Sequence, residues 1–331
     1  MRHRTVATLL FAVALPASLG WIAESWGQTK IARVGILATP LAGTTDEAMA
    51  KYYERFRRMV AQHDWVEGKN VSFVYRSARG NPPQFAESAA ELVRLNVDVI
   101  YANNAPATRA AYAETRTIPI VALDYTNDPV AAGYAESYSR PGRNLTGLFL
   151  DAPEFASKWL ELLKAIVPRL SRVAVLWDPS PGPTHLQAVQ DVAKTFRVQL
   201  QVLEVHNPND IEAAFSALPA RTQALIVLPS PMTWAQSVRL AELTMKHRLP
   251  ATSMADRFAE AGGVLSYGPD TESANESCAR LVAKILGGAK PGELPVERPT
   301  KVQLLVNLKT AKALGITVPL SILVRADEVI K

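Results

Sequence analysis

The sequence predicts an α/β protein built as two doubly wound, Rossmann-like lobes. Short apolar runs alternate with amphipathic stretches along nearly the whole chain, which is the rhythm of repeated βα units. The runs Val173–Leu176 and Leu225–Leu228 are continuously apolar, and Val97–Ile100 is interrupted only by Asp98, as suits parallel strands covered on both faces. A chain of 331 residues exceeds what one core usually organises, so two sheets suit it better than one of about ten strands.

The elements follow in order. Arg33–Leu37 reads as a short buried strand. Thr44 and Glu47 have capping-box spacing, and Met49, Tyr52, Tyr53, Phe56, Met59 and Val60 then form one helical face. Val71–Tyr75 is a strand, Phe85–Leu95 a helix and Val97–Ala102 a strand. Pro106–Glu114 is a helix with proline in its first turn, and Ile118–Leu123 and Leu145–Leu150 are strands. The second half repeats the pattern, with helices at Phe155–Val167, Pro183–Phe196, Ile211–Leu218, Trp234–His247 and Ser273–Leu286. Strands are expected between them at Arg172–Trp177, Val198–Val205, Ala224–Leu228 and Gly263–Tyr267. Pro291, Pro295 and Pro299 interrupt the rhythm before a late strand, Val302–Val306, and a short helix, Leu308–Leu314. This late return argues against lobes laid simply end to end.

Arg2, His3 and Arg4 precede an apolar run, Val6–Leu19, and small or polar residues follow it. This is the order of a secretory signal peptide, read as residues 1–27 with cleavage before Gln28. The apolar run is too short to span a bilayer comfortably, and no cysteine near the cleavage point could carry a lipid anchor. The net charge of +5 arises from 36 basic and 31 acidic residues interspersed along the chain, with no basic stripe, so nucleic acid is not an expected partner. One cysteine, Cys278, excludes an internal disulfide and a thiolate metal cluster, and it reads as a buried packing residue. The five histidines are scattered without metal-ligand spacing and read as structural or surface residues. Phosphate-cradling glycine loops and a nucleophile elbow are also lacking, so no cofactor, metal or catalytic residue is expected. Asn144-Leu145-Thr146 matches a glycosylation sequon but also fits a strand start.

In open α/β sheets, ligands sit beyond the carboxyl ends of the strands. The loops there carry Thr39 and Thr44 after the first strand, and Asn103, Asn104, Ala105 and Thr108 after the third. Tyr125, Asn127 and Asp128 follow the fourth strand. In the second half the corresponding residues are Asp178, Ser180, Ser230 and Asp256, with Tyr267 closing the last strand of the pattern. Free N–H groups at Ala105–Thr108 suit an anionic ligand group, and Asp178 or Asp256 an ammonium. Tyr125, Trp234 and Tyr267 suit the walls of an apolar site. Asp128, Asp178 and Ser180 read equally well as turn and N-cap residues.

Several segments together resemble exported ABC-transporter substrate-binding proteins of the tryptophan/tyrosine-type group. They are Trp65–Val71, Ala90–Arg94, Arg140–Gly147, Arg172–Trp177, Gly262–Gly268 and Asn307–Gly315, in order along residues 31–331. The resemblance implies a type I periplasmic binding protein: two lobes joined by a three-segment hinge, with a small organic solute in the cleft. It implies residues 28–145 and 268–300 in lobe 1, and 146–267 and 301–331 in lobe 2. It further implies a monomer that is periplasmic after signal cleavage and delivers its solute to an inner-membrane ABC permease. Members of the group usually carry a Gly- or Thr-containing loop after the third strand. Asn103-Asn104 departs from that pattern and keeps ligand identity from being carried over. The same fold would equally serve a sensor presenting solute to a membrane receptor or kinase. An exported α/β enzyme would need a convergent acid, base or nucleophile, which the sequence does not show.

Overall fold

Two sheets, one wholly parallel and one parallel except for a single strand pair, account for the strands expected from sequence. The computed structural model describes residues 31–38, 46–77 and 82–331; the expected signal peptide, Thr39, Thr44 and the Thr44–Glu47 capping box fall wholly or partly outside them.

The first sheet has five strands in the order β2-β1-β3-β4-β5: β1 (Ala32–Ala38), β2 (Val71–Ser77), β3 (Val99–Asn103), β4 (Ile120–Asp124) and β5 (Leu145–Phe149). All its pairings are parallel. Side chains alternate across it as the pleat requires. Val99 and Tyr101 of β3, with Val121 and Leu123 of β4, enter one core, whereas Ile100, Ala102, Ile120 and Ala122 enter the core on the opposite face. Helices α2 (Pro82–Arg94) and α3 (Ala105–Glu114) cover the second of these faces. Helix α1 (Asp46–Ala61) covers the first.

The second sheet has seven strands in the order β12-β11-β10-β9-β8-β6-β7. They are β6 (Arg172–Trp177), β7 (Gln199–Glu204), β8 (Ala224–Val227), β9 (Ala251–Ser253), β10 (Leu265–Pro269), β11 (Val302–Asn307) and β12 (Glu328–Ile330). Only the β10–β11 pairing is antiparallel. Helices α4 (Ala152–Ile166) and α5 (Thr184–Phe196) pack on one face; α6 (Asp210–Ser216), α8 (Ser237–Lys246) and α9 (Asp256–Glu260) pack on the other.

Three differences from the sequence reading have physical causes. The helix expected at Trp234–His247 is broken into α7 (Pro231–Ala235) and α8. A capping box between Ser230 and Thr233 starts α7 early, and Gln236 separates the two helices. β9, α9, α12 (Leu320–Leu323) and β12 are too short to show a period. Finally, Thr146–Phe149 pair in register with β4, so the first sheet runs to Phe149, beyond the boundary at 145/146.

The chain passes between the sheets at three places. Leu150–Asp151 lead from β5 to α4, and Asp270 leads from β10 to α10 (Thr271–Leu286), whose Ala274, Cys278, Leu281 and Val282 enter the first-sheet core. The third passage lies between Glu297, bridged to Leu148 of β5, and β11. Charged and polar contacts tie these passages together. Asp151 caps α4 and pairs with Arg298 at 2.7 Å. Asp270 caps α10, accepts from Gln303, and lies 3.5 Å from Lys301. α11 (Leu308–Leu314) then follows β11.

Candidate functional site

The carboxyl ends of both sheets bring loops from each lobe into contact. From the first lobe comes the loop after β4. Asp124 is fully buried, and its Oδ1 accepts from Thr126 N, Thr126 Oγ1 and Asn127 N at 2.9–3.2 Å. Its Oδ2 accepts from Asn127 Nδ2 at 2.7 Å. Burial pushes the Asp124 carboxyl above its ordinary pKa, against the lowering effect of these donors. The network fixes the loop and presents Tyr125 to the second lobe. The Tyr125 ring packs against that lobe's core, with its centroid 6.3 Å from that of Trp234. Its carbonyl accepts from His185 Nε2 of α5 at 2.5 Å.

A second contact across the lobes runs from Arg109 of α3, whose guanidinium donates to the Pro181 carbonyl at 3.0 Å. Next to Pro181, Gly182 adopts φ +120°, and a Cβ there would stand 3.9 Å from Asn127 Oδ1. The loop after β6 therefore lies against the first lobe, and it carries two expected residues. Asp178 is 5% exposed; one of its oxygens accepts from Ser180 N at 2.9 Å, and no cation pairs with it among the described residues. Ser180 is exposed beside it.

Other expected residues use their polar groups locally. Asn104, at φ +141°, caps α3 through Ala107 N, and Thr108 returns its hydroxyl to the Asn104 carbonyl. Pro106 has no N–H to offer, so the donors expected at Ala105–Thr108 are largely committed to the helix itself. Asn103 ends β3 beside this cap. Asp128 accepts from Val130 N, Ala131 N and the Tyr138 hydroxyl, the turn role left open by sequence. Ser230 is committed to its capping box. Asp256 faces a crevice of about 300 Å³ beside the crossover strands, with Phe56, Met59, Asp270, Asn275 and Gln303. Tyr267 packs on Phe155, 5.6 Å between centroids, and its carbonyl accepts from the Trp159 indole at 2.9 Å.

Reading the loops alone missed His185 and Arg109, although each lies just past a loop that was read. Both sit near the starts of helices, His185 in the first turn of α5 after the 178–181 stretch and Arg109 in the second turn of α3 after 103–108. Asn144 of the sequon is buried, donating to the Thr115 and Ile118 carbonyls, which suits the strand reading. Cys278 is buried, and burial pushes its thiol far up, as expected of a packing cysteine.

Residues 42–330 match the family described as ABC transporter substrate binding protein. The chain belongs to this family. Among relatives of this substrate-binding protein, the tyrosine-binding protein of Clostridioides difficile (strain R20291) is 24% identical over 271 residues, spanning 81% of this chain and 77% of the relative. The crystal structure of a conserved domain protein from Vibrio cholerae O1 biovar El Tor is similar at a TM-score of 0.82 and 26% identity, over 91% of this chain and all of that one. A Streptococcus pneumoniae ABC domain in complex with L-Trp is similar in fold at a TM-score of 0.81 and 22% identity, over 90% and 99% of the two chains. The family is one of substrate-binding proteins, one of these relatives is a tyrosine-binding protein, and another was solved in complex with L-Trp. The substrate-binding protein described here is accordingly a binder of a small molecule and not an enzyme, on the two-lobed α/β fold of periplasmic binding proteins.

Proposed function

We propose that residues 1–27 export this chain, that it captures a small amino-acid-like or aromatic carboxylate solute between its lobes, and that it passes the closed complex to an inner-membrane ABC permease. The observation that carries the reading is the meeting of Tyr125 and Trp234 across the lobes; at the end of β6, Asp178 adds a buried carboxylate that pairs with no cation among the described residues. An aromatic side chain suits the first and an ammonium the second. Asn103, Asn104, Asn127 and Ser180 supply amide and hydroxyl groups at the same strand ends. The ligands named for the relatives, tyrosine and L-Trp, have both features. The charged n-region and apolar run of the N-terminus support export, and no helix among the described residues is long and apolar enough to cross a membrane. Release after closure fits a monomer whose three crossovers act as a hinge.

Native mass spectrometry of the protein purified from the periplasm reads the co-purifying ligand. Melting with L-tryptophan, L-tyrosine and aromatic acids complements it, because a ligand at about 100 times its Kd stabilises by about 2.7 kcal/mol. A panel in which no member raises the melting temperature overturns the assignment of ligand class.

A further inference from the structure

We infer that His185 is the proton-sensitive closing contact of this binding protein: its neutral imidazole holds the lobes together through the Tyr125 carbonyl, and its protonation opens them. The inference deepens the proposed function, since it makes solute affinity depend on pH through one residue of the cleft.

The geometry gives the imidazole a defined state. A carbonyl oxygen can only accept, so Nε2 must carry the proton in the bond to Tyr125. Nδ1 is then the unprotonated nitrogen. It is buried and has no partner among the described residues, and the whole residue is only 4% exposed. A second proton would therefore enter as a buried N–H without an acceptor, carrying a full charge. Trp159 of α4 lies against the ring at 5.8 Å between centroids and adds an apolar wall. Among the titratable groups on the adjoining loops, Asp124 is bound to Thr126 and Asn127, Asp128 to Val130, Ala131 and Tyr138, and Asp178 to Ser180. Burial dominates the proton affinity of His185, opposed by the Tyr125 carbonyl alone, and no charged side chain contributes. Burial raises the Tyr267 phenol above its ordinary pKa, so it stays neutral throughout the range in question.

The two sides of this contact belong to different lobes, so separating the lobes breaks the bond and lets water reach the ring. Burial holds the imidazole down at about 4, whereas a solvated imidazole keeps its ordinary 6.5. The sign follows from linkage. Above pH 6.5 the imidazole is neutral in both forms and closing costs nothing in protons. As pH falls from 6.5 towards 4 the open form gains a proton that the closed form excludes, so closure is progressively lost. With those two values the closed form weakens by about 20-fold between pH 7 and pH 5.

The test compares the wild-type chain with His185→Gln, whose amide keeps a neutral donor at a similar reach, and with His185→Leu. Calorimetry with L-tryptophan as probe, at pH 7.5, 6.0 and 5.0, is expected to show a wild-type Kd weakened at pH 5.0 by up to about 25-fold. The Gln variant should stay within about threefold across the range, and Leu should be weaker at every pH. Parallel pH profiles for wild type and Gln overturn the inference. Small-angle scattering of the ligand-free chain decides the matter apart from ligand identity. The wild-type radius of gyration should rise on going from pH 7.5 to 5.0 and that of the Gln variant should not. No rise in the wild type, or an equal rise in both, overturns it. Absence of L-tryptophan binding at pH 7.5 counts against the proposed ligand class and leaves the scattering result to judge His185.

Discussion

Asp178→Asn separates recognition of an ammonium from recognition of an aromatic body. Asp178 is 5% exposed and uses one oxygen on Ser180 N, so an asparagine can keep that bond through Oδ1 while losing the charge. No cation offsets the carboxylate among the described residues, so the unliganded protein should lose little or no stability. A hydrogen bond to a charged group contributes about 1.5–3 kcal/mol, more than a neutral one. At 1.4 kcal/mol per tenfold, this predicts an L-tryptophan Kd raised by about 10- to 150-fold. Indole-3-propionate has the same aromatic body and carboxylate but no ammonium, so its Kd should barely change. Calorimetry of both ligands against both proteins forms a double-mutant cycle that isolates the pair. Equal losses for the two ligands, or none for either, would refute the assignment of Asp178.

Asp124→Ala should cost about 2 kcal/mol in denaturant unfolding, because it orphans the donors of Thr126 and Asn127 in a half-buried loop. A loss below 1 kcal/mol would show that the loop does not depend on this network. Gly147→Ala places a Cβ 2.1 Å from the Ala122 carbonyl oxygen at φ +147°, so it should destabilise by about 3 kcal/mol or more; a wild-type melting temperature would contradict the β4–β5 approach. Asp270→Ala removes the α10 cap and the acceptor for Gln303, while Asp270→Asn keeps a capping oxygen. Urea unfolding should show a loss of about 2 kcal/mol for Ala and less than half of that for Asn. Identical losses would mean that capping contributes nothing here.

Most of the fold was legible because its strands are buried on both faces. In β3, Val99 and Tyr101 alternate with Ile100 and Ala102 into separate cores, and a run without polar residues is the trace of that arrangement. β9 left no such trace. Ala251-Thr252-Ser253 is short and polar, and it is a strand because Thr252 pairs with Ile226 on one side and Leu265 on the other. Those partners are distant in sequence, so local propensity cannot report them. The same limit applied to the site. Residue type and place put Asp128, Asp178 and Ser230 at the right ends of the strands. Side-chain direction shows Asp128 and Ser230 committed to their own turns, whereas Asp178 gives one oxygen to Ser180 N and pairs with no cation among the described residues.

The cleft works through this division of labour. A loop that satisfied none of its own polar groups would be mobile, and ordering it on each binding event would subtract from affinity. Asp124 spends both carboxylate oxygens on its own loop, and that commitment holds the Tyr125 carbonyl where His185 can reach it. The residues that look most like binding groups by type are in part the frame. Closure is carried by a backbone carbonyl and by a histidine with no local sequence motif. A backbone acceptor has no residue signature at all, so the His185 contact between the lobes, like that of Arg109 with the Pro181 carbonyl, could be found only once both lobes were in place.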